Sequence, residues 1–507
     1  MRRTLIRGAR VLTFDDAGTE YASADILIEG TKIAAIGPEL AVAKAEAIDA
    51  EVIEAEGMLA LPGLINAHLH SPANFQRGTL EGLPLELFML YEVPPLASEP
   101  PSGRLCYIRT MLGAMEMLKL GITSVLDDAF YVPKPTPEAI DGVMQAYADA
   151  GIRATSTLDQ PNIPEVEKYP FLKELLPADI LAEMQATPIT PAAELLALYD
   201  HLITRWHGAE NGRLGAGVSC SAPQRVTVPY FEALSALSKK HDLPFVIHML
   251  ETKLQRVFGT EKLGKSLVHY VHDLGLLDER MQVVHAIWVD ETDMRLMAEA
   301  GVTVAHNPVC NLKLGSGIMP FRRLGDHGIP ICLGTDEIVA DDTANLWQVA
   351  KMAGLIHKIT DPEYRNWPEA REILGCLFGG GARAMRRGGE IGVLAPGAEA
   401  DIILLDLDTF AFTPLNDLKR QLVYCENGGS VRLTMVAGEV VMRDGVLTRV
   451  DEAALKREAR AMMAEFRQNS AEADAAAARL LPYYREMVLK AAGRDVGMQR
   501  WAGPATP

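Results

Sequence analysis

Eight short apolar runs, separated by helix-length amphipathic segments, occupy the chain between Gly63 and about Arg386. Strand-like runs that alternate with helical segments are typical of βα units, in which the strands form a parallel sheet. Eight units predict an α/β fold in which that sheet closes into a (β/α)8 barrel. In chain order the runs are "GLINAHLH", "ITSVLDD", "IRATSTLDQ", "RLGAGVSCS", "PFVIHMLE", "QVVHAIW", "VTVAHNP" and "PICLGTD".

The two ends of the chain show a different pattern. Short strand-like runs broken by Gly and Asp precede the barrel, and similar runs return after Gly392. They predict a small β-sandwich domain that both chain ends build, with the barrel inserted between them. An Ala-rich helical segment follows from Asp451. The predicted boundaries are 1–60 and 388–450 for the small domain, 61–387 for the barrel and 451–507 for the helical extension.

Charge and composition narrow the class of partner. The 507 residues carry a formal net charge of −18, so nucleic acid and anionic membrane would be repelled. Six cysteines without CxxC spacing indicate neither a disulfide framework nor a cysteine zinc site. No apolar run reaches membrane-spanning length. We therefore expect a cytoplasmic protein with a small-molecule substrate, whose helical extension packs on the fold or joins copies in a homo-oligomer.

The placement of the histidines gives the strongest functional signal. In a barrel of this kind the chemistry lies at the carboxyl ends of the strands. Because alternate side chains of a strand share a face, His68 and His70 point together. Five of the 12 histidines, and one aspartate, fall at predicted strand ends: His68, His70, His248, His285, His306 and Asp336.

Three of these imidazoles and the aspartate form a predicted metal site. Neutral imidazoles with one carboxylate suit zinc or a similar divalent ion and leave a position open for water. The alternative for the histidine pair alone is two core side chains that backbone carbonyls satisfy. A histidine on the fifth strand and an aspartate on the eighth favour the metal. The predicted ligands, which accommodate iron as well as zinc, are His68, His70, His248 and Asp336.

Two further strand-end residues are candidates for the chemistry itself. Glu251 in "HMLE" could carry protons between a hydroxide and a substrate atom; the alternative is a solvent-facing or ion-paired glutamate. His285 in "VVHAIW" could orient the hydroxide or polarise the bond that breaks, or could support the site structurally. For His306 in "VAHNP", substrate contact and structural support are two equally good interpretations.

The loops after the strand ends supply candidates for substrate contact. Asn74, Gln76, Arg77 and Cys310 lie there, where polar side chains are either functional or simply solvated. The segment "LPLELFMLYEVPPL" would line a pocket for an apolar substituent or pack as a helix on the barrel. Because no Gly-rich phosphate cradle or lysine cluster follows a strand, we expect phosphorylated substrates to bind poorly.

The ordered set "NAHLHSP", "HMLE", "VVHA", "AHNPVCNLKLGSG" and "LGTDE" resembles the amidohydrolase superfamily. It is most similar to the branch of ring deaminases and chlorohydrolases, which holds S-adenosylhomocysteine, methylthioadenosine, guanine and cytosine deaminases and triazine hydrolases. The resemblance implies that Glu251 shuttles protons and that His285 assists at the metal-bound water. It also implies one divalent ion, held by His68, His70, His248 and Asp336.

The chain departs from that branch at three points. Binuclear members have a metal-bridging lysine after the fourth strand, where this chain reads "GVSCSAPQ". The resemblance therefore implies a single ion. Nucleoside-deaminating members have an acidic residue where an ungapped match puts Ala97, with Glu99 close by, which argues against nucleoside specificity. The family serine of "NPxSNxKL" is Cys310 here.

Residues and resemblance together predict a metal-dependent aminohydrolase. It would deaminate a nitrogen-rich heteroaromatic ring (purine, pyrimidine, pterin, triazine or adenosine-like) through attack of metal-bound hydroxide. Asp336 would take the proton of the water, and Glu251 would protonate a ring nitrogen. The alternative is a hydrolytic dehalogenase or an alkylamine-releasing triazine hydrolase that uses the same site. The missing lysine disfavours a cyclic amide hydrolase, and the complete ligand set disfavours a non-enzymatic relative.

Overall fold

The computed structural model describes residues 2–38, 40, 50–96 and 100–502. Helices lie between most strands from β6 onward, so the fold is mixed α/β. The described strands are β1 (Arg3–Leu12), β2 (Glu20–Glu29), β3 (Lys32–Gly37), β4 (Glu51–Glu54), β5 (Met58–Pro62), β6 (Leu64–His70), β7 (Ile122–Asp127), β8 (Arg153–Ser156), β9 (Leu214–Ala216), β10 (Val218–Ser219), β11 (Phe245–Met249), β12 (Met281–His285), β13 (Thr303–His306), β14 (Ile331–Leu333), β15 (Asp336–Glu337), β16 (Ile402–Asp406), β17 (Val431–Val436), β18 (Glu439–Arg443) and β19 (Val446–Leu447).

The helices begin and end at recognisable local signals. Before Pro137–Ala150, for example, the Thr136 side chain accepts a hydrogen bond from the Ala139 amide, and Gly151 ends the helix at φ 84°. The described helices are Leu85–Glu92, Gly103–Lys119, Pro137–Ala150, Leu172–Leu175, Ala178–Ala186, Ala192–Trp206, Ala209–Gly212, Val228–His241, Lys253–Phe258, Leu267–Asp273, Glu291–Ala300, Pro308–Lys313, Phe321–Asp326, Ile338–Asp341, Leu346–Ile356, Ala370–Gly375, Gly381–Ala384, Leu418–Tyr424 and Glu452–Ala492. Within the described residues, every helix is too short or too polar to span a bilayer.

The middle strands form two five-stranded parallel sheets. Their orders are β15-β6-β7-β8-β9 and β10-β11-β12-β13-β14. Every pairing within them is parallel, which confirms the βα units expected from the sequence. All eight apolar runs contribute strands to these sheets. Because parallel strands end at one edge, the predicted site residues come to the same edge of the fold.

Both chain ends build a third, mixed sheet. In the described part of the chain it has nine strands in the order β19-β18-β17-β16-β5-β1-β2-β3, with β4 beside β1. Strands from before and after the parallel sheets pair directly, since β16 lies antiparallel to β5. A separate apolar core belongs to this sheet and includes Ile6, Ile26, Leu404 and Leu433.

The long helix Glu452–Ala492 covers the segment that follows the first parallel strands. Its side chains Leu480, Tyr484 and Met487 are buried in a cluster with Leu90 and Tyr169. Fixing such a helix needs an apolar face, because an isolated helix gains little from its own hydrogen bonds. The predicted C-terminal extension is therefore packed on the fold along this face.

Arg153 ties β8 to the segment that precedes β16. Its side chain is 2% exposed, and its Nε donates to Asp401 Oδ2 at 2.7 Å. A second nitrogen donates to Glu399 Oε2 at 3.1 Å. Asp401 Oδ1 also accepts the Ala437 amide at 2.7 Å. This buried ion pair thus joins a parallel sheet to the mixed sheet.

We expect Arg153→Ala to lower the free energy of unfolding by about 3–5 kcal/mol, because it leaves the buried Asp401 carboxylate without its counter-ion. Denaturant unfolding of the two proteins measures the difference. The control is Arg295→Ala, which removes an exposed pair with Glu299 and should cost about 0.3–0.5 kcal/mol. Equal losses in the two variants would contradict the expectation.

Candidate active site

Three imidazoles meet at the carboxyl ends of β6 and β11. His68 and His70 extend from β6 and His248 from β11, and all three side chains are buried. The ring centres of His68 and His70 are 4.7 Å apart. Those of His248 lie 5.0 Å from His68 and 5.3 Å from His70. The strand pattern therefore brings the predicted histidines into one cluster.

Hydrogen bonds on the outer nitrogens orient two of these rings. Nδ1 of His70 lies 2.5 Å from the Asp128 carbonyl oxygen, and Nδ1 of His248 lies 2.9 Å from that of Ser221. A neutral imidazole that donates from Nδ1 keeps its lone pair on Nε2. Among the described residues, neither ring nitrogen of His68 has a hydrogen-bond partner. A fully buried imidazole needs a partner, and a metal ion would satisfy this one.

Asp336 faces the inner nitrogens of the β6 pair. Its Oδ1 is 3.5 Å from Nε2 of both His68 and His70, a spacing that suits atoms bound about 2 Å from a shared ion. Burial opposes ionisation, but the His68 and His285 imidazoles outweigh it and hold the pKa of Asp336 well below its usual range. Asn307 Nδ2 donates to Oδ2 at 3.1 Å and fixes the carboxylate.

A second carboxylate, Asp128 directly after β7, lies behind His248. It forms a cluster with the three histidines in which the ligand atoms lie within 4.8 Å of one another. However, its Oδ2 is 3.8 Å from Nδ1 of His248, the nitrogen that faces Ser221. It also accepts hydrogen bonds from the hydroxyls of Thr157 and Ser219. Burial, followed by the charge of Asp159, raises the pKa of Asp128 to about 8.

The donors fit a single zinc-type ion. Imidazole nitrogens and carboxylate oxygens are both donors that zinc takes in proteins. Either Asp336 or Asp128 is close enough to the three histidines to be the fourth donor. The end of β10 presents Ser219, Cys220 and Ser221, so no lysine bridges a second ion there. The chemistry of the donors thus supports one divalent ion.

Glu251 lies beside this cluster, two residues after β11. It is 3% exposed, and its Oε1 accepts a hydrogen bond from Ser316 Oγ at 3.3 Å. Its Oε2 is 3.5 Å from His285 Nε2. Burial, followed by the charge of Asp336, raises the pKa of Glu251 well above its usual range. A buried carboxyl whose pKa is raised in this way can act as a general acid.

His285 ends β12 with its ring turned towards Glu251. Its Nδ1 lies 2.9 Å from Asn311 Oδ1, so Nδ1 donates and Nε2 is left with a lone pair. That Nε2 is also 3.7 Å from Asp336 Oδ2. Burial lowers the pKa of His285 to about 4, so the ring is neutral at pH 7. The Nε2 atom of His285 lies between the carboxyl groups of Glu251 and Asp336 and can accept a hydrogen bond there.

One cavity contains these groups and continues outward between apolar walls. His70, His248, Glu251, His285 and Asp336 line its inner end. Side chains of "LPLELFMLYEVPPL" line its outer part, so this segment faces a pocket as well as packing on the fold. The outer wall includes Leu85, Met89, Val93, Phe130, Tyr169 and Met184.

The structure separates the residues predicted for substrate contact. Cys310 lines the cavity, and burial raises the pKa of its thiol well above the usual range. The 3-10 turn Ser71–Phe75 directs Asn74 away, so that its amide donates to the Arg109 carbonyl at 2.8 Å. The cavity lining in the described part of the chain also lacks Gln76, Arg77 and His306.

The surroundings of those three residues explain their positions. Gln76 ends the 3-10 turn, and Arg77 forms an ion pair with Glu116. His306 Nε2 lies 3.0 Å from His357 Nε2, in contact with a second buried imidazole. Ala97 and Glu99, the positions compared with the nucleoside-deaminating branch, lie outside the described residues.

Sequence reasoning missed a cation that lines the cavity, Arg225. Its guanidinium donates to Ser221 Oγ at 3.2 Å and approaches Met89 Sδ at 3.1 Å. Arg225 is largely buried, with 9% of its surface exposed, yet it forms no ion pair with a described carboxylate. Glu337 also lines the cavity, directly after Asp336. The only sequence signal for either was a position just past a predicted strand end.

Comparisons with known proteins agree with this geometry. A family model described as "Amidohydrolase family" matches residues 59–441. The chain is 31% identical to a 5-methylthioadenosine/S-adenosylhomocysteine deaminase of Thermococcus kodakarensis, over 83% of this chain and 90% of that one. It is 28% identical to a 5'-deoxyadenosine deaminase of Methanosarcina mazei, over 89% and 95%. A zinc complex of atrazine chlorohydrolase from Arthrobacter aurescens superposes with a TM-score of 0.81 at 26% identity, over 90% and 99%.

We expect one tightly bound divalent ion per chain, measured by elemental analysis of the purified protein. His68→Ala should lose most of that ion, because His68 is the buried imidazole whose ring nitrogens lack a hydrogen-bond partner among the described residues and whose Nε2 faces Asp336 Oδ1. His201→Ala, which changes a half-buried histidine paired with Asp141, should keep it. Two ions per chain in the unmodified protein would contradict the single-metal site.

Proposed function

Because the chain belongs to the amidohydrolase family, we propose that it is a metal-dependent hydrolase that deaminates an amino-substituted heteroaromatic ring. The observation that carries this proposal is the buried carboxyl of Glu251, between Ser316 and His285 and beside the histidine cluster. Relatives named as deaminases of 5'-deoxyadenosine and of methylthioadenosine support it. The family predicted from the sequence motifs is confirmed.

We assign the metal ligands to His68, His70, His248 and Asp336. Asp336 is preferred to Asp128 because its oxygen faces the Nε2 atoms of the β6 pair, whereas Asp128 approaches His248 from the Nδ1 side. Hydroxyl groups already satisfy Asp128. When bound, a divalent ion supplies a nucleophile at neutral pH by lowering the pKa of water from about 15.7 to about 7.

The protein groups around the substrate move the protons. Asp336 takes a proton from the attacking water, and neutral His285 accepts a hydrogen bond that orients this water. Glu251 donates its proton to the ring nitrogen next to the carbon under attack. The proton held by Asp336 passes to the amino group, which leaves the tetrahedral carbon as ammonia, and the new hydroxyl returns a proton to Glu251 as the carbon–oxygen double bond forms. One water is thus consumed for each ammonia released. The product is the corresponding oxo-substituted ring.

The outer cavity favours a substrate with an apolar substituent. Its walls of Leu85, Met89 and Phe130 would bury such a group, as ligand pockets of this type do. Arg225 offers N–H donors to a single acceptor on the substrate. We propose an adenosine-like compound or another uncharged amino-heterocycle, and we expect nucleotides to be poor substrates because the cavity also contains Asp159, Glu165 and Glu337.

A second candidate function is hydrolysis with another leaving group. The likeness to the zinc complex of atrazine chlorohydrolase, at a TM-score of 0.81, is the observation that favours it. The same water would attack the ring carbon, and chloride or an alkylamine would leave in place of ammonia. The leaving group therefore distinguishes the two candidates.

We further propose that the two parallel sheets close into one (β/α)8 barrel. Gly217 alone separates β9 from β10, and Gly334 and Thr335 separate β14 from β15. Each pair would then be one interrupted strand, so that the ring has eight strands. Hydrogen bonds from Gly217 to Ser156 and from Gly334 to His306 support continuity at these breaks.

The mixed sheet is proposed to fold over its own core as a sandwich. Ile26 near one end of the strand order shares a buried cluster with Leu433 near the other, which a flat sheet would not allow. The proposed boundaries remain 1–60 and 388–450 for this domain, 61–387 for the barrel and 451–507 for the extension. Cytoplasmic location and a homo-oligomeric state stay predictions.

We expect the purified protein to release ammonia from at least one class of amino-heterocycle. The test set contains adenosine-like nucleosides, purines, pyrimidines, pterins and aminotriazines, with ammonia measured by a coupled assay. Chlorinated and alkylamino triazines form the second set, with chloride and amine as the products measured. Activity on the second set alone would replace the deaminase proposal with the alternative.

Glu251→Gln should lower turnover by roughly 10²-fold or more, because the amide keeps the size of the side chain but cannot deliver the proton. Metal content should stay at the unmodified level. The matched control is Glu232→Gln, at an exposed position of the helix Val228–His241, which should leave turnover unchanged. Loss of the metal together with turnover would show that Glu251 is a ligand or a structural support instead.

A further inference from the structure

The last described residues return to the edge of the fold that carries the candidate active site. We call residues 493–502 the C-terminal tail; they follow the long helix and lie beyond the family match, which ends at residue 441. At the start of the tail, Lys253 Nζ donates to the Ala492 carbonyl at 2.7 Å. Lys253 lies two residues after Glu251. The tail therefore begins next to the segment that carries the proposed proton donor.

Arg500 of the tail holds the turn that follows His285. Its Nε donates to the Ile287 carbonyl at 2.8 Å, and a terminal nitrogen donates to the Val289 carbonyl at 2.7 Å. His285 itself has φ 73°, a left-handed conformation that is costly for a histidine unless the surroundings enforce it. Two hydrogen bonds from one planar guanidinium restrict this turn more than a single hydrogen bond would.

A second turn, residues 315–318, has tail contacts on both sides of Ser316. Trp501 Nε1 donates to the Gly315 carbonyl at 2.9 Å. The Ile318 amide donates to the Arg500 carbonyl at 2.8 Å. Between them, Gly317 has φ 126°, and a Cβ there would lie 3.0 Å from that Arg500 oxygen. The close approach of the tail thus uses a glycine.

The two tryptophans connect these turns to each other. Trp288 Nε1 donates to the Ser316 carbonyl at 2.8 Å, and its ring lies 5.1 Å from that of Trp501 at an angle of 74°. Lys253 Nζ lies 5.4 Å from the Trp501 ring and 6.0 Å from the Trp288 ring, within cation–π range. The tail and both turns therefore form one packed unit.

This unit lies directly behind the proposed proton-transfer groups. Ser316 Oγ donates to Glu251 Oε1 at 3.3 Å. The Ser316 amide donates to the carbonyl of Asn311, whose side chain in turn receives the Nδ1 hydrogen of His285. Displacement of the second turn would move the partners of Glu251 and His285 together.

We propose that the C-terminal tail is a positioning segment, in which Arg500 and Trp501 hold the turns that carry His285 and Ser316 and so set the orientation of Glu251. The inference depends on the proposed function for its kinetic consequence, since it assigns Glu251 a proton to deliver. Its structural content does not depend on that function. Neither residue touches the cavity, so both act through the turns.

Two full-length variants test the proposal by hydrogen–deuterium exchange and by kinetics. In Arg500→Ala, backbone amides of residues 315–318 should exchange faster, because the tail loses its anchor on the first turn. In Trp501→Phe, which keeps an aromatic ring but removes the donor to Gly315, the same amides should exchange faster. Both variants should keep the metal ion, and kcat should fall by about 10-fold with KM unchanged.

Matched controls separate positioning from general stability. Arg213 directly precedes β9, at the end of the strand away from the site, and its guanidinium donates to the carbonyls of Tyr147, Ala148 and Ile152. The control Arg213→Ala removes these hydrogen bonds. Trp367→Phe removes an indole donor to the Asp361 carbonyl beside Lys358. Both should leave kcat unchanged and leave exchange in residues 315–318 unchanged.

The outcomes distinguish this inference from the proposed function. Unchanged exchange in both tail variants would overturn the positioning role, whether or not a substrate has been found. Faster exchange with unchanged kcat in an active enzyme would overturn it as well. An unmodified protein that releases no ammonia would refute the deaminase assignment alone, and exchange would still decide the role of the tail.

Discussion

The site depends on the parallel register between β6 and β15. In that register Asp336 pairs with Leu69 and Glu337 pairs with His70, so the Asp336 carboxylate lies between two imidazoles on one face of β6. A slip of one residue would turn both histidines to the opposite face. Gly334 allows this approach, because a Cβ there would lie 2.7 Å from the His68 carbonyl oxygen and 2.8 Å from its Cβ.

The register explains why the centre of the site could be predicted from the sequence and its periphery could not. Strand alternation and a common edge for parallel strands are periodic rules, so they place His68, His248 and Asp336 without any knowledge of the loops. Arg225 approaches Met89, and Arg500 approaches Ile287, across long separations in sequence. Such contacts depend on how a loop or a terminal segment packs, which local patterns do not encode. The same reason applies to Asn74, which a 3-10 turn directs to Arg109.

A shared hydrogen-bond arrangement keeps the imidazoles available. In His70, His248 and His285 the Nδ1 atom faces a backbone carbonyl or an amide oxygen. These neutral acceptors fix the tautomer and the ring orientation. Each Nε2 is then free for the cavity. The acceptor Ser221 has φ 63° and Asp336 has φ 63°, so several strand ends adopt left-handed backbone to make this arrangement.

The carboxyl groups of the cavity divide into two kinds because of their neighbours. Burial raises the pKa of Glu337, which lines the cavity, and it raises the pKa of the buried Glu92 to about 7. Burial raises the pKa of Glu251 in the same way, whereas the imidazoles around Asp336 outweigh burial and lower the pKa of that carboxyl. Asp336 thus has a lowered pKa and Glu251 a raised one, and His285 Nε2 lies 3.7 Å from the first carboxyl and 3.5 Å from the second. Such a separation of pKa values is what general acid–base chemistry needs. The chain has a net charge of −18 and buries several carboxyl groups at this edge, so a divalent cation bound there would reduce the repulsion between them.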